Sequence, residues 1–289
     1  MKKILLSILL LMINFPSFAQ SETNENSLLW KISGKNFKSP SYLFGTIHII
    51  CQDNYLWTDV MNDAFTKTQA LYLELPMADK GFQQKMMEHI MLKDGKQLKD
   101  FFTAKQYQKL DLFFKDSMKM PLAMFSKMKP FGIMSFAILK YIDCNGKMPI
   151  SYEEKLMGQA IERNLKVSGL ETIEDQMKIF DDLPKDSIAK MVMASVTDTQ
   201  KNKNIFQTMM NAYLAQDLDV LYNEIVRSPE YEAHLTALLY ERNLKWIPLI
   251  MTAAKEKPTF FAVGAGHLPG EKGVLALLRK QGYKVEPVK

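Results

Sequence analysis

The sequence predicts an α/β fold with a central mixed, largely parallel sheet, formed from the N- and C-terminal parts of the chain around a large helical middle region. Short apolar or alternating runs typical of strands gather near the two ends, whereas the middle follows helical spacing. Near the C-terminus a strand leads through glycines into a helix and then into another strand. Such a unit of about 30 residues normally joins parallel strands of one sheet with a right-handed crossover.

The individual elements follow from the same patterns. Leu218, Leu221, Tyr222 and Ile225 share one helical face, and Gly282 can end the last helix in a left-handed conformation. No repeat of fixed period and no low-complexity linker occurs, so we expect one compact domain rather than two separable ones. The predicted strands are Leu28 to Ile32, Tyr42 to Ile49, Ala70 to Leu75, Lys166 to Leu170, Thr259 to Val263 and Tyr283 to Val288. The predicted helices are 59–68, 79–92, 97–117, 121–140, 152–164, 185–213, 218–225, 231–255 and 271–280.

The first nineteen residues are typical of a secretory signal peptide. Lys2 and Lys3 precede an apolar run from Ile4 to Ile13, and small residues around Ala19 follow a proline. The run has about ten residues, whereas a membrane-spanning helix needs roughly 20. We therefore expect residues 1–19 to be removed and the mature protein to be secreted or periplasmic, without a stable membrane anchor.

Charge and cysteine content limit the function classes further. Lys2 and Lys3 supply two of the formal +5, which leaves +3 on the mature chain, too little to predict nucleic-acid binding. Cys51 and Cys144 are the two cysteines. In an oxidising compartment they either pair in a disulfide or stay as buried thiols, and the sequence leaves both open. The sequence does not predict an oligomeric state.

A short pattern of glycine and histidine occurs twice in the sequence and suggests a functional site. Gly45-Thr46-Ile47-His48 and Gly264-Ala265-Gly266-His267 both follow an apolar strand and both read G-x-x-H. Glycine lets the backbone bend or approach a ligand closely, and ligands bind beyond the carboxyl ends of parallel strands. Two such histidines on neighbouring strands would converge on one crevice.

One carboxylate lies within another predicted strand, and a second follows a further one. Glu74 interrupts the apolar run ALYLELP, where it is either solvated or buried and paired, and Glu171 follows the short strand near 166–170, with Glu174 one turn further. Two histidines with one or two carboxylates form a sound set of ligands for a divalent metal. His89 and His234 lie on helical patterns without a partner motif, so we interpret them as structural.

Other chemistries lack their motifs. The sequence has no G-x-S-x-G, no H-E-x-x-H and no phosphate-binding loop ending in Gly-Lys-Ser/Thr, and its glycines near 264–270 miss the dinucleotide-binding spacing. The 20 methionines fall at helical spacings, which favours core packing over a copper site.

Taken together, YLFGTIHI, LYLELP, GLETIEDQ, YERNLKWI and the C-terminal FFAVGAGHLPGEKGVLALLRKQGYKVEPV resemble the TraB/GumN family, which includes pheromone-shutdown proteins and the animal TIKI proteins. The resemblance covers about residues 28–288 and makes residues 20–289 a single TraB/GumN-like domain. It also implies a relation to erythromycin-esterase-like and ChaN-like proteins, and through the TIKI members a divalent-metal-dependent protease activity on peptide or protein substrates.

The resemblance also implies roles for individual residues. His48, His267 and Glu74 would bind the metal, which would be Mn, Co or Zn, and Glu74, Glu171 and Arg242 would serve catalysis. The residues expected in binding are Gly45, Thr46, Gly264, Gly266 and Asn243. Many relatives have an aspartate before the helix near 152, where this chain reads Pro149-Ile150-Ser151-Tyr152-Glu153, so Ser151 or Glu153 must substitute for it.

These observations predict an exported metal-dependent hydrolase, with a peptidase as the leading interpretation. Two alternatives use the same crevice. One is a non-catalytic protein that sequesters a peptide or pheromone-like ligand, and the other is a haem or iron binder of the ChaN-like type.

Overall fold

A computed structural model describes residues 26–34 and 37–289, so the predicted signal peptide lies outside the described residues. All six predicted strands are present in one mixed sheet, whose order is β4-β3-β5-β2-β1-β6. The strands are β1 (Leu29–Ser33), β2 (Ser41–Thr46), β3 (Ala70–Leu73), β4 (Lys166–Gly169), β5 (Thr259–Gly264) and β6 (Lys284–Val288). The predicted α/β class with a largely parallel sheet is confirmed.

The parallel part of the sheet consists of β4, β3, β5 and β2, which are paired in that order. β1 runs antiparallel to both β2 and β6. β5 and β6 therefore point the same way, as the C-terminal strand–helix–strand unit predicts, but β2 and β1 lie between them. β4 comes from the middle of the chain, so the sheet draws on more than the two terminal parts.

Eleven α-helices occur in the described residues. Their bounds are α1 Asp59–Thr66, α2 Phe82–Ile90, α3 Ala104–Phe113, α4 Pro130–Ile138, α5 Tyr152–Glu162, α6 Ile173–Asp181, α7 Lys185–Thr197, α8 Thr199–Leu214, α9 Leu218–Val226, α10 Glu241–Glu256 and α11 Val274–Lys280. None of the helices among the residues described here combines the length and apolarity that crossing a bilayer requires.

Several helices differ from the predicted ranges, for local reasons. The predicted helix 185–213 is divided at Asp198, whose side chain accepts a hydrogen bond from the Lys201 amide and so caps α8. α4 begins only at Pro130, which suits the first turn of a helix. α6 was not among the predicted helices, although Thr172 and Asp175 form a capping box at its start.

The described residues form two hydrophobic clusters. The larger one surrounds the sheet, where β2 is buried along its whole length, as expected of a strand covered on both faces. The second consists of buried side chains between Leu98 and Ala137 and between Ile188 and Val196, so α3, α4 and α7 share a core of their own. The single domain of residues 20–289 stays a prediction.

Cys51 and Cys144 form a disulfide, which closes the choice that the sequence leaves open. Their Cα atoms are 5.2 Å apart across a sequence separation of 93 residues. Beside them Ile50 and Ile150 exchange backbone hydrogen bonds of 2.9 and 2.8 Å. The segment after β2 is thus fastened to the segment before α5.

Candidate functional site

The four parallel strands each deliver one ionisable side chain at the same edge of the sheet. In sheet order, Glu171 follows β4, Glu74 follows β3, His267 follows β5 and His48 follows β2. Carboxyl ends of parallel strands share an edge, which is where ligands bind in sheets of this kind. The edge therefore forms a crevice lined by two carboxyl groups and two imidazoles.

Three of these side chains meet at one point. A Cβ atom placed on Gly264 would lie 3.3 Å from Oε1 of Glu74, 3.6 Å from Cδ2 of His267 and 3.8 Å from Nε2 of His48. Because Gly264 has no side chain, this point is space between the three groups. The structure therefore brings His48, Glu74 and His267 together, although they are far apart in the sequence.

Arg242, in the first turn of α10, lies at the centre of the crevice with a side chain only 11% exposed. Its Nη2 donates to Oε2 of Glu74 at 2.6 Å and to Oε1 of Glu171 at 2.5 Å, and its Nε donates to Oε2 of Glu171 at 3.1 Å. Its Nη1 lies 3.1 Å from Nε2 of His267 and donates to the carbonyl of Leu238, also at 3.1 Å. One guanidinium thus holds two carboxylates and a histidine.

The second residue of the Arg-Asn pair fixes the tautomer of His267. Oδ1 of Asn243 lies 2.7 Å from Nδ1 of His267, while its amide group donates to the carbonyl of Lys272 at 2.9 Å. The amide orientation makes Oδ1 the acceptor, so Nδ1 of His267 carries the proton and Nε2 has the lone pair. Nε2 can then accept the hydrogen bond from Arg242. Trp246 packs against the His267 ring, with 4.5 Å between centroids.

Glu153 orients the ring of His48 in the same way. Its Oε1 lies 3.1 Å from Nδ1 of His48 and accepts a hydrogen bond from the Thr46 hydroxyl at 2.7 Å, and its Oε2 accepts one from Ser151 at 2.9 Å. When Nδ1 of His48 carries the proton, the lone pair of its Nε2 faces the crevice. Holding the far nitrogen of an imidazole with a carboxylate or amide is how proteins orient histidines that bind metals.

Burial and the central arginine set the charges of the groups. Burial and the Arg242 charge lower the pKa of His267 to about 3, so this ring is neutral at neutral pH. Burial opposes ionisation of Glu74, but Arg242, the histidines and the Gly264 amide, 2.7 Å from Oε1, hold its pKa well below the usual range. Burial outweighs Arg242 at Glu171 and raises the pKa of that carboxyl.

His48 is the exposed member of the site. Desolvation in the crevice opposes its protonation, but the hydrogen bond and charge of Glu153 and the charge of Glu74 raise its pKa above the usual value. Water screens these interactions, because 68% of the side-chain surface is exposed. His48 is thus the imidazole that solvent reaches, whereas His267 is buried.

Two further glycines expected at the site serve close packing. A Cβ on Gly45 would lie 2.9 Å from Cδ1 of Leu268 and 3.1 Å from the backbone of Ala265, so its absence lets β2 approach the turn after β5. A Cβ on Gly266 would lie 2.5 Å from Cδ1 of Ile225 in α9. Of these three glycines, only Gly264 faces Glu74, His267 and His48.

The remaining histidines lie outside this group. Nε2 of His89 pairs with Glu174 at 3.3 Å, between α2 and the first turn of α6, and His234 lies in a short helical turn before α10. Glu174, the second carboxylate after β4, is therefore not part of the crevice. Trp246 was missed in the sequence, although it follows Arg242 by four residues on one helical face, which is a signal that could have found it.

No three histidine, cysteine, aspartate or glutamate side chains in the described ranges already form a group placed to hold a metal ion. Nε2 of His267 and Oε2 of Glu74 both face the guanidinium of Arg242. The proposed ligand atoms lie close together, but two of them are hydrogen-bonded to Arg242.

The sequence of this chain is similar to those of several named proteins. It is 25% identical to the human protein named Metalloprotease TIKI1, over 92% of this chain and 62% of that protein. It is 22% identical to the Metalloprotease TIKI homolog of Nematostella vectensis, over 93% and 68%, and 25% identical to Metalloprotease TIKI2 of Danio rerio, over 92% and 62%. The chain thus spans about three-fifths of the length of the human relative. No solved structure gives a significant match.

A family model agrees with the relatives and with the resemblance in the motifs. It matches residues 28–287, from just before β1 to the last residues of β6, and so includes every residue of the crevice. This chain belongs to the TraB/PrgY/gumN family.

Proposed function

We propose that this chain is an exported, metal-dependent hydrolase that cleaves peptide bonds in a peptide or protein substrate. The observation that carries the proposal is the meeting of His48, His267 and Glu74 around the open space at Gly264. The relatives named metalloproteases support the reaction class. The disulfide supports export, because such bonds persist mainly in oxidising compartments.

The donor set fits a divalent metal such as Mn²⁺, Co²⁺ or Zn²⁺ in its chemistry. Nδ1 of His48 is engaged by Glu153 and Nδ1 of His267 by Asn243, so a metal would use Nε2 of each ring, and Nε2 of His267 lies 3.1 Å from Nη1 of Arg242. Glu74 supplies an ionised carboxylate. His48, His267 and Glu74 would hold the ion. When bound there, the ion would act as a Lewis acid that activates water and polarises a substrate carbonyl.

The other side chains have roles that follow from their contacts. Glu74 would hold or accept a proton of the attacking water through whichever carboxylate oxygen does not hold the ion. Arg242 donates hydrogen bonds in a planar fork, which suits a developing oxyanion or a substrate carboxylate. Glu171 fixes the orientation of that fork through both carboxylate oxygens.

The proposal predicts a metal-dependent peptidase activity that needs the crevice. The purified chain, with its disulfide intact, is expected to cleave fluorogenic peptides when Mn²⁺, Co²⁺ or Zn²⁺ is added. His48→Ala and Glu74→Ala are each expected to lower kcat/KM by about 1000-fold, because a metal ligand or proton acceptor is lost. His89→Ala is the matched control, since His89 also pairs with a glutamate but outside the site, and full activity is expected.

Other outcomes of this assay have defined meanings. A stable, metal-loaded protein whose hydrolysis survives both alanine variants contradicts the proposed site. Tight peptide capture without turnover, unaffected by a chelator, indicates the non-catalytic binder instead. A Soret band that appears on titration with haem indicates the ChaN-like alternative.

The space at Gly264 gives a second prediction. Gly264 has φ of −52°, which any residue can adopt, so Gly264→Val is expected to fold, but its methyl groups would occupy the space between Glu74 and the histidines. We expect kcat/KM to fall about 100-fold, since displacing reacting groups by about 1 Å has effects of that size. Measuring kcat/KM together with Tm separates this effect from misfolding.

Gly158→Ala serves as the control for this glycine substitution. Gly158 lies inside α5 with nothing within 4 Å of an added Cβ, so alanine is expected to keep activity and to stabilise the helix by about 0.5–1 kcal/mol. Unchanged activity in Gly264→Val would show that the space is not used.

A further inference from the structure

The central arginine and the proposed metal use the same atoms. Nε2 of His267, the nitrogen with the free lone pair, accepts a hydrogen bond from Nη1 of Arg242 at 3.1 Å. Oε2 of Glu74 accepts one from Nη2 at 2.6 Å, and its Oε1 accepts one from the Gly264 amide. Two of the three proposed ligands thus have their donor atoms engaged by one guanidinium.

The arginine is also held there from the other side. Glu171 contacts Nε and Nη2 of Arg242 through both of its oxygens, and the ring of Trp246 lies 4.9 Å below the guanidinium carbon. Nη1 is fixed by the carbonyl of Leu238, one helical turn earlier. The guanidinium is thus surrounded by carboxylates and an aromatic ring, which all favour a cation. Its hydrogen bonds must be broken before Nε2 of His267 and Oε2 of Glu74 can bind another cation.

We propose that Arg242 is an internal competitor for the metal: its guanidinium must leave Nε2 of His267 and Oε2 of Glu74 before a divalent ion binds. The inference rests on the proposed function, because it takes His48, His267 and Glu74 as the ligands. Metal affinity is then set by the difference between metal–ligand bonds and the hydrogen bonds of Arg242. The released arginine stays near Glu171, where it can meet a substrate oxygen.

The test measures binding of Zn²⁺, Co²⁺ and Mn²⁺ alone by calorimetry, without any substrate. Arg242→Met removes the competitor and is expected to bind each ion about tenfold or more tightly than the unaltered chain, since charge-assisted hydrogen bonds no longer oppose binding. Equal or weaker binding in this variant overturns the inference.

Arg242→Lys separates competition for donor atoms from simple charge repulsion, and it also serves if the methionine variant fails to fold. Lysine keeps the positive charge but lacks the planar fork that reaches both carboxylates and the histidine. Competition predicts an affinity between those of the unaltered chain and Arg242→Met. If Arg242→Lys binds no more tightly than the unaltered chain, the arginine does not compete through these atoms.

Arg163→Met is the matched control for losing an arginine elsewhere. Arg163 also makes several hydrogen bonds and packs on an aromatic ring, but its partners are backbone carbonyls of residues 65, 66 and 68, away from the crevice. Its metal affinity is expected to match that of the unaltered chain. A gain equal to that of Arg242→Met contradicts a local competition.

The histidine variants distinguish failure of this inference from failure of the proposed function. Metal binding that His48→Ala and His267→Ala abolish, but that Arg242 substitutions do not strengthen, refutes the competition and keeps the metal site. No binding of any ion by the unaltered chain or by Arg242→Met refutes the metal site itself. A structure of the metal-loaded chain is expected to show the Arg242 side chain detached from His267 and Glu74.

Discussion

Replacing Arg242 with methionine, in the absence of added metal, is expected to lower the free energy of unfolding by about 3–5 kcal/mol, the usual effect of removing one partner of a buried ion pair. The substitution leaves the carboxylates of Glu74 and Glu171, which are 9% and 8% exposed, without their common cation. Urea unfolding followed by circular dichroism measures the change, with the m-value checking that the transition is comparable.

A second substitution tests the reason for this loss. Adding Glu171→Gln to Arg242→Met removes one unpaired negative charge, so the double variant is expected to be more stable than the sum of the single effects predicts. Additive effects would show that Glu171 and Arg242 are not coupled. Arg163→Met is again the control and is expected to lose less, because its partners are uncharged carbonyls.

Removing the disulfide is expected to have an effect of similar size. Cys51 and Cys144 enclose a separation of 93 residues, and restricting a loop of that length in the unfolded chain corresponds to about 4–5 kcal/mol in the loop-entropy description. The double variant Cys51→Ser/Cys144→Ser is expected to lose most of this stability, measured by urea unfolding without reductant.

The unaltered chain provides the control for the disulfide. With a reductant present it is expected to unfold at the same urea concentration as the serine variant. If both stay within about 1 kcal/mol of the oxidised chain, the bond does not restrict the unfolded state as the loop length predicts. Peptidase activity, measured at low urea, then reports whether the disulfide near His48 also orders the proposed site.

The sequence allowed the position of the site to be predicted, because parallel strands end at a common edge. Glycines followed by His48 and His267 identify two of those ends, and Glu74 identifies a third. Their meeting near Gly264 follows from the strand order, in which β5 lies between β3 and β2. The roles of these residues stay predictions, since geometry alone does not assign them.

The partners of these residues were harder to predict, since they depend on helix packing over long distances. The sequence predicts Glu153 only as a substitute for an aspartate of the relatives, whereas its contact with His48 joins α5 to the segment after β2. The position of Arg242 between two carboxylates depends on how α10 crosses the sheet, which no local pattern records. The structure pairs Arg242 with both Glu74 and Glu171.

The sequence could not reveal the neighbours of β6 for a similar reason. A strand–helix–strand unit fixes the relative direction of its strands, but not how many other strands lie between them. Here β1 and β2 fill that space, and β1 pairs with β6 across almost the whole chain.

The position of β5 has a consequence for the order of assembly. It lies inside the parallel group, between β3 and β2, yet it is made last among these strands, and the bond from the Gly264 amide to Glu74 spans 190 residues. A chain that emerges with its N-terminus first therefore has a gap between β2 and β3 until residue 264 is available. Such distant contacts slow folding, and they leave the group of His48, Glu74 and His267 incomplete until nearly the whole chain has been synthesised.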